Sequence, residues 1–106
     1  MDRTNFSKLS TELQRIYYIL WLLSTINKCT TEDLKAHTAL PSNTIWRLLN
    51  KLRQDYSIEV EFVRVGGSIG KRGYYELLDW GLFNRDRFFA IFDAFFKAEH
   101  GQLNVK

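Results

Sequence analysis

The sequence predicts an α+β fold in one domain, residues 1–106, and three observations carry the prediction. The run from Leu40 to Leu52, LPSNTIWRLLNKL, has helical periodicity. Residues 58–65 alternate like a strand, and a glycine-rich basic stretch then leads into a second strand-like run. In the helical run Ile45, Leu48, Leu49 and Leu52 fall within about 100° of one another at 3.6 residues per turn, so that face is buried. A chain of 106 residues with 45% hydrophobic content has apolar material for one small core.

The first helix is expected over 11–27, with Leu13, Ile16, Ile19, Leu20, Leu23 and Ile26 on one broad face. Tyr18 and Trp21 project from the opposite side, with Tyr17 and Leu22 on the flanks. A helix apolar nearly all round must be covered on both sides. The second helix, over 31–38, is capped by Thr30 or Thr31. Glu32 and Asp33 lie in its first turn, where the helix dipole favours carboxylates, and Leu34 is its inward anchor. A third helix follows over 42–55: Pro41 ends the preceding segment, and Ser42 is placed to cap the new one. Its outer face carries Asn43, Arg47, Asn50 and Gln54, with Thr44 and Lys51 beside it. Two helices joined by a turn of a few residues, the second polar and basic, form a helix-turn-helix.

A β-hairpin is expected over 58–78. Ile58, Val60 and Phe62 alternate with Glu59 and Glu61, the period of a half-buried strand. Four glycines between Gly66 and Gly73 supply the positive-φ positions of a turn, and Tyr74 to Leu78 returns. A hairpin directly after a helix-turn-helix has the place of a wing. The spacing Gly67, Gly70, Gly73 is not a nucleotide loop, because a phosphate-cradling loop opens a helix and this one joins two strands. The last helix, over 84–99, is capped by Asn84 and ended by Gly101. Phe88, Phe89, Ile91, Phe92, Phe95 and Phe96 form an apolar arc about 160° wide on it. That arc can pack on the first helix of its own chain or across a two-fold axis. A homodimer is expected, with Tyr18, Trp21, Phe88, Phe92, Phe95 and Phe96 at its interface.

Charge distribution points to the partner. The net charge is +3 and the pI about 9.1, and six of the fifteen cations lie between Arg47 and Arg72. The acids of that stretch, Asp55, Glu59 and Glu61, are expected outside the outer helix face and the wing tip. Between Phe62 and Tyr75 the only charged residues are Arg64, Lys71 and Arg72, so the wing meets a phosphate backbone without acidic repulsion. Arg offers paired donors to guanine, and Asn or Gln exchanges paired hydrogen bonds with adenine. The expected partner is double-stranded DNA, and the expected contact set is Ser42, Asn43, Thr44, Arg47, Asn50 and Lys51 with Lys71 and Arg72 on the wing. The alternative is a protein-interaction module whose surface is Trp46, Tyr18 and Trp21.

The stretch LPSNTIWRLLNKL also resembles the recognition helix of bacterial winged helix-turn-helix regulators, which often opens with Pro, Ser and Thr and continues with an aliphatic residue, an Arg and paired leucines. The resemblance covers roughly residues 9–78, and the whole chain is similar to small stand-alone winged-helix proteins. It implies that Ser42, Asn43, Thr44 and Arg47 meet the major groove, that Lys71 and Arg72 stand at the wing tip, and that the protein regulates transcription. Trp46 departs from the pattern, since a smaller polar residue is more usual there.

Other functions find little in the chain. The single Cys29 excludes an internal disulfide. The start MDRTNFSKLS has no leader pattern, and the longest apolar stretch, Ile16 to Leu23, is too short to span a bilayer, so a cytoplasmic location and no membrane partner are expected. His37, His100 and Cys29 lack metal-ligand spacing, and Ser24, Ser42, Ser57 and Ser68 lack a nucleophile context. No enzymatic activity, cofactor, metal or small-molecule ligand is expected.

Overall fold

A computed structural model describes residues 2–66 and 73–99 of the chain. The element order is α1 (Arg3–Ser7), α2 (Thr11–Thr25), α3 (Thr31–Thr38), α4 (Ser42–Tyr56), β1 (Glu59–Arg64), β2 (Gly73–Asp79) and α5 (Arg85–Glu99). This is the α+β, helix-turn-helix-plus-hairpin order the sequence implies, with one short helix added in front. In α1 the Asp2 side chain accepts from the Asn5 N–H at 2.8 Å.

Local chemistry explains the boundaries. Ser10 caps α2 by accepting from the Leu13 N–H at 3.1 Å. The helix stops at Thr25, two residues earlier than its apolar pattern, where Ser24 Oγ and Thr25 Oγ1 both donate back to the Trp21 carbonyl. Ile26 is then extended and Lys28 takes a left-handed φ of 56°, which turns the chain out of the helix. Thr30 and Asp33 form a reciprocal capping box at the start of α3. Ala39 ends α3 in the left-handed region, and Thr38 Oγ1 ties the turn by donating to the Leu34 carbonyl and accepting from the Leu40 N–H. One expectation is corrected here. Pro41, not Ser42, occupies the cap position of α4, and no side chain caps that helix. The Pro41 carbonyl accepts from the Thr44 and Ile45 N–H groups, which are the first bonds of the helix.

The hairpin is antiparallel, pairing Val60 with Leu77, Phe62 with Tyr75 and Arg64 with Gly73, with an irregularity between Glu59 and Val60. A lone bridge adds Cys29 to the β2 side, the Tyr75 N–H donating to the Cys29 carbonyl at 2.7 Å. Arg53 fastens α4 to β1: its Nε and Nη2 both donate to the Val60 carbonyl. Gly81 carries the chain from β2 toward α5 at φ 58°, and a Cβ there would strike the Tyr56 and Ser57 carbonyls. Asn84 caps α5 by accepting from the Arg87 N–H at 2.9 Å. The expected stop at Gly101 lies outside the described residues.

The core is built around α2. Ile16, Ile19, Leu20 and Leu23 pack with Leu34 of α3, with Ile45, Leu48, Leu49 and Leu52 of α4, and with Val60 of β1. Its second face is covered by α5. Trp21 is 0% exposed, its Nε1 donates to Asp93 Oδ1 at 3.0 Å, and its ring lies 5.3 Å from that of Phe96. Phe6 of α1 closes the cluster against Phe92, Phe95 and Phe96, while Arg3 pairs with Glu99 at 2.7 Å. The expected dimer surface is therefore corrected. Tyr18, Trp21, Phe88, Phe92 and Phe96 are buried inside one chain, and Phe95 is half-buried under Phe6. The aromatic arc finds its partner on the second apolar face of α2, which satisfies both surfaces at once.

Candidate nucleic-acid interface

The three-residue turn Ala39–Leu40–Pro41 sets α4 across the end of α3 with its apolar face inward and the rest in solvent. Ser42, Asn43, Trp46, Arg47 and Gln54 are exposed, while Thr44, Asn50 and Lys51 are half-buried. Six of the residues expected to meet DNA thus share this helix. Lys71 and Arg72, the expected wing-tip contacts, lie outside the described residues. Without a side-chain cap, the first turn of α4 turns unshared N–H groups and the positive end of its dipole toward solvent.

The electrostatics differ from those of the isolated helix. Arg47 Nη1 donates to Glu12 Oε1 at 2.9 Å, and Lys51 Nζ lies 3.4 Å from the other Glu12 oxygen. Lys51 also pairs with Asp55 at 3.0 Å, one helical turn on. Two expectations change as a result. Asp55 is beside the outer face rather than off it, and the two central cations of that face are shared with a carboxylate from α2. Sequence inspection missed Glu12 because 35 residues separate it from Arg47. Within its own helix it is a first-turn carboxylate, two residues after the Ser10 cap.

The Arg47 hydrogen bond, helped by Lys51, holds the Glu12 carboxyl below the usual carboxylate range. Asp55 likewise raises the Lys51 ammonium. Because the Glu12 value is depressed on folding, its pairing is complete above the unfolded carboxylate range and is lost as pH falls through the folded value. At neutral pH the clamp is closed. All four side chains keep 38% or more of their surface in solvent, so these pairs are weak enough for a phosphate to displace. Asn50 is engaged as well, its Oδ1 accepting from Arg53 Nη1 at 3.0 Å.

Trp46 stands apart. It is 62% exposed, while Trp21 is fully buried and Trp80 half-buried. With Thr31, Ser42, Asn43, Ile45 and Tyr75 it borders an open cleft of about 430 Å³ between α3, α4 and β2. Among the described residues no helix is long and apolar enough to cross a membrane. No curated protein and no solved structure matches the chain. A family model described as winged helix-turn helix matches residues 8–94, from just after α1 through most of α5. With helix-turn-helix, hairpin and family match in agreement, the chain belongs to the winged helix-turn-helix family.

Proposed function

We infer that the protein is a cytoplasmic, double-stranded DNA-binding regulator of transcription that lays α4 in the major groove. The observation that carries this reading is the exposed face of α4, where Ser42, Asn43, Trp46 and Arg47 stand clear of the core in a winged helix-turn-helix frame. Arg47 and Asn43 address base edges, with Asn50 behind them. Ser42, Thr44 and Lys51 hold phosphates, and Lys71 with Arg72 grips the flanking backbone. The competing interaction-module reading loses support, since Tyr18 and Trp21 are buried. The proposal is for one domain on one half-site. A homodimer would have to use a surface other than the aromatic arc.

Fluorescence anisotropy with random duplex DNA tests it. Binding should weaken steeply with salt, and a variant with Arg47, Lys71 and Arg72 neutralised should lose most of it, with the logarithmic salt slope falling by up to about 3. Salt-independent binding, or a variant equal to the parent, would remove these residues from the interface.

A further inference from the structure

We propose that Trp46 is a thymine reader, its indole packing on the 5-methyl group of one thymine in the major groove. This rests on the DNA-binding reading above and adds a determinant of specificity to it. The starting point is an unsatisfied apolar surface. The core takes in Trp21 and half-buries Trp80, yet Trp46 remains 62% exposed on the same helix that carries Asn43 and Arg47. A large aromatic side chain left in water is the kind of group that becomes an anchor when a partner desolvates it.

The surroundings narrow the partner. The cleft beside Trp46 is lined by Thr31, Ser42, Asn43, Ile45 and Tyr75, with no charged side chain among them. Phosphate would find no cation there. A base edge finds hydroxyls, an amide and aromatic surface. Thr31 Oγ1 donates to the Tyr75 hydroxyl at 3.5 Å, which joins the α3 and β2 sides of the cleft. The major-groove edge of DNA has one apolar group, the thymine methyl, and thymine pairs with adenine, the base that an Asn side chain recognises. Trp46 precedes Arg47 by one position and follows Asn43 by three, so an indole on thymine leaves Asn43 over a neighbouring position and Arg47, on leaving Glu12, for guanine.

The test replaces thymine with 2′-deoxyuridine, which keeps pairing and the O4 acceptor and removes only the methyl. A preferred duplex is first selected from a random pool with the wild-type protein, and each thymine is then exchanged in turn. For wild type the Kd should rise about fourfold at one thymine, the value of one methyl group's burial. Trp46→Ala should bind the thymine and uracil duplexes equally, and Trp46→Phe should keep part of the difference. Because Trp46 is outside the core, these variants should melt at the parent temperature, and circular dichroism checks that they do. Equal binding of both duplexes by wild type at every thymine overturns the assignment. So does a thymine preference that survives Trp46→Ala. No salt-sensitive binding of any duplex by wild type overturns the DNA-binding reading itself, an outcome distinct from the other two.

Discussion

Phe96→Ala should destabilise the domain by about 3–5 kcal/mol, a large part of the stability of a small domain. The ring is 1% exposed and lies within 5.6 Å, centroid to centroid, of Phe6, Tyr18, Trp21 and Phe92. Removing it opens a cavity between α2 and α5 that neighbouring rings fill only by leaving their rotamers. Urea unfolding reads the loss. The same experiment separates an intrachain core from an interface, because a dimer's midpoint rises with protein concentration and a monomer's does not. The expected result is a lowered midpoint that stays the same across a hundredfold range of concentration. A midpoint that climbs with concentration in the parent and no longer does so in Phe96→Ala would return the aromatic arc to a two-fold interface.

Arg47→Ala and Glu12→Gln should move DNA binding in opposite directions. Loss of Arg47 should weaken the preferred duplex by about 1–3 kcal/mol and relax one base position, the cost of a base-reading arginine. Loss of the Glu12 carboxylate releases Arg47 and Lys51 from their 2.9 and 3.4 Å pairs. Random duplex should then bind more tightly, with a salt slope steeper by about 1, while discrimination between preferred and random sequences falls. Glu12 in this arrangement is a positioning residue. On the proposed reading it lowers non-specific attraction and holds the guanidinium until a base offers better acceptors. Asp55→Asn serves as the control, because Asp55 touches Lys51 and not Arg47. Equal and same-sign effects of Arg47→Ala and Glu12→Gln on random and preferred duplexes would show that neither residue reads bases.

Local signals account for what was legible in the sequence. The threonine cap ahead of Glu32 and Asp33, the single proline and the four-residue apolar repeat of Ile45, Leu48, Leu49 and Leu52 each act within one or two turns, and they placed α3 and α4 to within a residue. The alternation of Ile58 to Phe62 did the same for β1. What was missed depends on distance in the chain. Glu12 reaches Arg47 only after α2 and α4 pack, and Arg3 reaches Glu99 across 96 residues. The five-residue α1, with Phe6 as its apolar contact, has no period to detect. The second apolar face of α2 was visible, but whether its cover came from the same chain or another is a question of topology that residue spacing does not answer.

The most direct measurement is an amide NMR titration of the 12.6 kDa protein with its selected duplex. Shifts should concentrate in 42–54, in Thr30 and Thr31, and at Gly66 and Gly73 where the hairpin approaches its turn, with α5 from Phe88 to Glu99 little changed. Shifts confined to Leu82, Ile91 and the outer side of α5, with α4 unmoved, would contradict the assignment of α4 as the element that enters the groove.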